Sequence, residues 1–202
     1  MKQFVIVIAL ACGAVVSAQS YAFRSSWKAQ DGKAFDMAGK KVAALVISHD
    51  QSLRMSVEEA LSRELTSRGL VGVAAYRTIP AELLQDAEKA RGWFERTGVA
   101  GIIVLRLVDV DKETVHSAVV WSSMSYQSYS NYYAAGWQTV TPIGRGREVT
   151  TIAVETLLFD LAQGGLVWGG VTEATDPKDV QSYVTGLAKE IAKELERVGL
   201  AR

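Results

Sequence analysis

Between Lys41 and Val110, short apolar runs alternate with amphipathic stretches, and this alternation constrains the fold more than any other feature of the chain. Val42-Ala43-Ala44-Leu45-Val46-Ile47 is a continuous apolar run, the pattern of a strand buried on both faces. From about Ser52 to Arg68 the apolar residues recur at helical spacing. Val57, Ala60, Leu61 and Leu65 form an inner stripe, Glu58, Glu59 and Arg63 are expected to face water, and Gly69 suits the C-terminal cap. Val71 to Tyr76 reads as a second strand, Ala81 to Thr97 as a helical region started by Pro80, and Val99 to Val110 as a third strand. Strand and helix alternating over short links predict right-handed crossovers and a parallel core.

After Asp111 the pattern changes. Val115 to Ser122 reads as a strand, and Thr150 to Leu161 with Leu166 to Thr172 reads as a hairpin turned at Gly164-Gly165. The last element is the clearest: Asp176-Pro177 supplies a start signal, and Val180, Val184, Leu187, Ile191, Leu195 and Val198 repeat at helical spacing up to Gly199. Burying those six side chains contributes on the order of 10 kcal/mol before conformational entropy is subtracted. The expected class is therefore α/β: a single mixed sheet built as β-α-β-α-β, then a further strand, a β-hairpin and a long C-terminal amphipathic helix. Residues 41–202 form one domain, with an aromatic and serine-rich insertion at about 122–147. Residues 19–40 are polar and mixed, and read as an N-terminal arm docked by Trp27.

The amino terminus points to export. Met1-Lys2, an apolar run from Phe4 to Val16 and the small residues Val16-Ser17-Ala18 make a secretory signal peptide over residues 1–18, too short to span a bilayer, which takes about 20 residues. A second reading cleaves before Cys12, within Ala9-Leu10-Ala11-Cys12-Gly13, and makes Cys12 a lipidation site and an outer-membrane anchor. Either way the expected location is the periplasm, with no transmembrane helix in the mature chain. The 22 basic residues balance the 22 acidic ones, so no net field draws the chain to nucleic acid.

Chemistry-bearing residues are few. Ser48, His49, Asp50 and Ser52 follow the first strand, at the end of a parallel sheet where ligands gather, yet no phosphate-cradling glycines accompany them. Asp109, Asp111 and Glu113 alternate onto one face, with Lys112 between them, and read as a strand turning to water. With His49 and His116 the only histidines and Cys12 the only cysteine, a transition-metal site lacks ligands, and no cofactor is expected. The unusual segment is Trp121 to Trp137. It holds four of the seven tyrosines and two of the five tryptophans, interleaved with serines. Tyr and Trp offer rigid contact area at low entropy cost, so Trp121, Tyr126, Tyr129, Tyr132, Tyr133 and Trp137 are the expected binding residues. The bland alternative is that these aromatics fold back onto their own sheet.

Several patches together resemble a group of small bacterial envelope proteins, many of them lipoproteins. They are Ser25-Ser26-Trp27-Lys28, Lys41 to Ser48, Glu58 to Leu65 through Arg68-Gly69, Gly98 to Leu107, and Glu155 to Asp160 through Leu166-Val167-Trp168-Gly169-Gly170. Similar strand and helix layouts occur in the periplasmic domain of the curli secretion channel, the TolB amino-terminal domain and a lipoprotein activator of peptidoglycan synthases. The resemblance implies a periplasmic α/β domain that acts by contact with an envelope protein or peptidoglycan-associated partner, and it carries over no active-site residue. The expectation is a non-enzymatic protein-interaction or assembly module. The alternatives are a periplasmic glycan-binding module using the same tyrosines, or a hydrolase built from His49 and Asp50 with Asp109 and Asp111.

Overall fold

A computed structural model describes residues 21–29, 37–108, 128–138, 151–175 and 179–202. Six strands form one mixed sheet: β1 (Tyr21–Lys28), β2 (Lys41–Ile47), β3 (Val71–Ala74), β4 (Gly101–Val108), β5 (Thr151–Asp160) and β6 (Leu166–Thr175), in the order β1-β6-β5-β4-β2-β3. β2 pairs in parallel with both β3 and β4, and the remaining neighbours are antiparallel. The helices are α1 (Gln51–Thr66), the short α2 (Ala75–Thr78), α3 (Ala87–Arg96), α4 (Tyr129–Gln138) and α5 (Val180–Arg197). This is the α/β class and mixed sheet that the hydrophobic pattern predicts.

The apolar run of β2 divides its side chains between two cores. Val42, Ala44 and Val46 join the core under α1 and α5, whereas Ala43, Leu45 and Ile47 join the core that holds residues of α2, α3 and α4. Strand alternation alone produces this division, and it is why the run has no polar positions. The result is a three-layer sandwich.

Four elements differ from the sequence reading. The strand after α1 ends at Ala74, and Tyr76 starts the second position of α2 rather than closing a strand. The helical region after Pro80 breaks into a 3-10 turn (Ala81–Leu83) and α3, because the Asp86 carboxylate accepts a hydrogen bond from Lys89 N at 3.0 Å and so starts a new helix. Residues 21–28, read as part of a polar arm, form edge strand β1, with Trp27 half-buried against the core. α5 starts at Asp179, whose carboxylate accepts from Ser182 N, and Val180, the first residue of the expected stripe, is 64% exposed. The strand expected over Val115 to Ser122 lies outside the described residues, as do Asp176 and Pro177.

Close approaches make two glycines specific. A Cβ on Gly72 would lie 2.1 Å from the Ser62 carbonyl oxygen, so β3 can pair where it does only because α1 meets a bare backbone. Gly72→Ala is expected to cost about 1–3 kcal/mol through forced separation of α1 and β3. A thermal melt of the variant checks this, and an unchanged midpoint would show that the approach is not required. On the opposite edge, a Cβ on Gly186 would lie 2.3 Å from the Tyr21 ring, whose hydroxyl donates to the Ser182 carbonyl and holds β1 against α5.

Candidate functional site

β6 runs parallel to β4, two antiparallel steps away, so Ile47, Val108 and Thr175 all end at the same edge of the sheet. α1 and α5 both begin there and run side by side, and at their far ends Arg202 N donates to the Arg68 carbonyl. Between their first turns lies a small cleft of about 50 Å³, open in part to solvent, lined by Val46, Leu53, Leu107, Ile152, Tyr183 and Leu187 among others. Val180 shares the helical face of Tyr183 and Leu187 in the first turn of α5 and is 64% exposed. Met55, 36% exposed, lies in the second turn of α1 at the same end.

The loop that sequence reasoning singled out sits at this end but serves the fold. The Asp50 carboxylate accepts from Leu53 N at 3.0 Å and caps α1, and Asp50 N donates to Ser48 Oγ at 3.1 Å. His49 is exposed. Asp109, Asp111, Glu113 and His116 lie outside the described residues. Among the described residues no group of three or more His, Cys, Asp or Glu is placed to hold a metal ion, and no helix is long and apolar enough to cross a membrane.

The aromatic segment requires a correction. Tyr129 and Tyr133 are 0% exposed and Tyr132 is 2% exposed, so these three of the expected binding residues are core residues. They occupy one side of α4 and pack on the sheet: Tyr129 meets Phe159 edge-on at 5.9 Å, and Tyr132 lies 5.7 Å from the same ring. The physical reason is spacing. Positions 129, 132 and 133 are i, i+3 and i+4 of a helix, which places three large rings on one face, and the apolar gain of burial exceeds that of exposure. Trp121 and Tyr126 lie outside the described residues; Trp137 belongs to α4.

Beneath α4 is a polar network that the sequence reading missed. Glu155 of β5 is 1% exposed. Its Oε2 accepts from Arg106 Nη2 at 2.8 Å, from Arg106 Nε at 3.2 Å and from the Tyr132 hydroxyl at 2.8 Å, while the guanidinium lies 5.6 Å from the Tyr132 ring centre. Arg106 and Glu155 are directly opposed across the β4–β5 ladder. Their signal was Arg106 as the single charge of the apolar β4 run and Glu155 in the middle of the largely apolar β5.

A second buried carboxylate lies across the sheet. Glu58, expected to face water, is 0% exposed. Its Oε1 accepts from Val46 N at 3.0 Å and its Oε2 from Tyr76 N at 2.6 Å. β3 stops at Ala74, so the Val46 amide has no strand partner on that side, and the carboxylate supplies one while also capping α2. Burial pushes the Glu58 carboxyl up to about 7, against the pull of those two amides and of Arg54, whose Nε lies 3.9 Å from Oε1. The signal was present: Arg54, Glu58, Leu61 and Leu65 share one helical face.

Together these features define a three-layer α/β sandwich with an apolar opening at the carboxyl ends of β2 and β4. No family model matches the sequence, and no curated protein matches it. Solved structures do. The chain is similar to a PelC dodecamer from Paraburkholderia phytofirmans at 15% identity and TM-score 0.45, covering 88% of this chain and 96% of that one. It is also similar to lipoprotein GNA1162 from Neisseria meningitidis at 12% identity and TM-score 0.35, covering 79% of this chain and 99% of that one.

Proposed function

We propose that the protein is an exported, non-catalytic module of the bacterial envelope that docks an apolar segment of another envelope protein, or of a peptidoglycan-associated one, at the carboxyl ends of β2 and β4. The observation that carries this reading is the apolar cleft between α1 and α5, with Val180 exposed one helical turn before the cleft-lining Tyr183. An exposed apolar side chain beside an apolar cleft marks a contact site more readily than scattered surface hydrophobes do. The signal-peptide pattern of the amino terminus, read as cleavage after Ala18 or lipid on Cys12, supports a partner in the periplasm or at the outer membrane.

Burial of the three tyrosines removes the aromatic platform on which the glycan-binding alternative rested at those positions. The hydrolase alternative loses a free Asp50, because its carboxylate caps α1.

A photo-reactive residue at Met55 tests the reading in intact cells, with one at Val71, exposed at the opposite end of the sheet, as the control. A discrete adduct to one envelope protein from position 55 and none from position 71 is expected. Equal labelling from both positions, or none from position 55, would count against it.

A further inference from the structure

We propose that the sheet beneath α5 holds a site for one long-lived internal water, built by Thr156 of β5 with Thr172 and Trp168 of β6. Three observations converge on it. All three residues are at most 1% exposed. Thr156 Oγ1, Thr172 Oγ1 and Trp168 Nε1 are buried, and none of them has a hydrogen-bond partner among the described residues. The strand register brings the three together on one face.

Thr156 lies opposite Gly170, so Thr172 and Trp168, two places to either side of that glycine, are its diagonal neighbours. They share the face of Val154, Leu158 and Ala174, in the core that α5 covers with Val184, Leu187, Ala188 and Ile191. Gly170 allows the close approach. A Cβ there would lie 2.9 Å from Trp168 Cζ2 and 2.8 Å from Phe23 Cε1, so both rings lean over the bare glycine. Cζ2 is two bonds from Nε1, which puts the indole N–H in the same small region as the Thr156 hydroxyl.

The donor and acceptor chemistry selects the ligand. An indole N–H only donates, whereas a threonine hydroxyl both donates and accepts. Diagonal neighbours across an antiparallel pair stand about 7–8 Å apart, somewhat less between Cβ atoms, too far for two short hydroxyls to bond each other. A water with a hydrogen bond of about 2.8 Å on each side bridges partners about 5.5 Å apart. It accepts from the Trp168 indole and donates to both threonine oxygens, and about three bonds is usual for an internal water. Without it, two hydroxyls would stand unpaired in an apolar core where valine, of nearly the same shape, carries no such cost. The competing arrangement aims the indole N–H at the Phe23 ring, which meets Trp168 edge-on at 5.8 Å. That arrangement leaves both hydroxyls unpaired.

Oxygen-17 relaxation dispersion of the solvent counts waters held inside a protein for longer than its tumbling time, and it is blind to hydroxyl protons. In Thr156→Val the count is expected to fall by one relative to the parent. The melting midpoint is expected to fall by roughly 2–4 °C, the shift for one lost hydrogen bond in a chain of this size. Thr172→Val, from the other side of the site, is expected to lose the same water, so the double variant loses one and not two. An unpartnered hydroxyl behaves in the opposite way, because valine then removes a buried polar atom at no loss and the midpoint rises. An unchanged water count in both single variants, or a raised midpoint in either, would overturn the proposal. Should a variant fail to fold, a high-resolution crystal structure of the parent decides, with an ordered water in hydrogen-bond contact with Thr156 Oγ1 and Trp168 Nε1 expected and dry packing between them contradicting it.

Discussion

Replacing Tyr129 and Tyr133 with serine is expected to destabilise the protein severely, by about 3–5 kcal/mol at each position, roughly the cost of truncating a buried aromatic residue. For a chain of this size 1 kcal/mol moves the melting midpoint by about 2–4 °C, so either single variant should melt roughly 6–20 °C lower. Both rings are 0% exposed and lie 5.1 Å apart, with Tyr129 set edge-on to Phe159. Their loss opens a void between α4 and the sheet that small side chains cannot fill. Tyrosines that bind a partner from the surface would behave in the opposite way, leaving stability nearly unchanged. Thermal melts of the two purified single variants distinguish these cases, and midpoints within a degree or two of the parent would return the tyrosines to the surface.

A second large effect is expected at Glu155. Truncation to alanine leaves the Arg106 guanidinium and the Tyr132 hydroxyl without their shared acceptor, and breaking a buried ion pair from one side costs about 3–5 kcal/mol. Arg106 is 13% exposed and can recover some hydration, so the lower end of that range, about 3 kcal/mol, is expected. Replacing both partners, Arg106→Met with Glu155→Leu, is expected to recover most of the loss, because no uncompensated charge remains. Chemical denaturation of the single and double variants measures the coupling. A double variant as unstable as the sum of its parts would show that the pair does not act as a unit.

Legibility in the sequence followed the length scale of the interaction. β2, α1, β4, the β5–β6 hairpin and α5 were readable because their apolar periodicity is local, and the turn glycine Gly164 takes the positive φ of 67° that its hairpin requires. The break at Asp86 was missed because a cap in mid-segment competes with a continuing apolar stripe. β1 was missed because it is an edge strand: Arg24, Ser26 and Lys28 face solvent and make it look like an arm.

The site residues failed in a more instructive way. Tyrosine and serine in one stretch suggest a binding loop only when the spacing is ignored, and 129, 132 and 133 have helical spacing. Glu58 and the Arg106–Glu155 pair left a signal in the sequence, but one that could not be read without their partners. A buried charge is tolerated only through its partners, and those partners, the Val46 and Tyr76 amides and the opposing strand residue, are set by tertiary register. The cleft between α1 and α5 likewise exists only once β2 and β6, far apart in sequence, have started the two helices at one end of the sheet.

The most direct test of the account is the adduct formed from a photo-reactive residue at Met55 when Val180 is changed to aspartate. Val180 is 64% exposed one turn before the cleft-lining Tyr183 and bears little on the core, so Val180→Asp should melt within about 0.5 kcal/mol of the parent, as surface changes do. Loss of the adduct from an equally stable chain is the predicted result. An adduct of undiminished yield, from a chain whose purified form turns over a substrate and ceases to do so when His49 is changed, would contradict it.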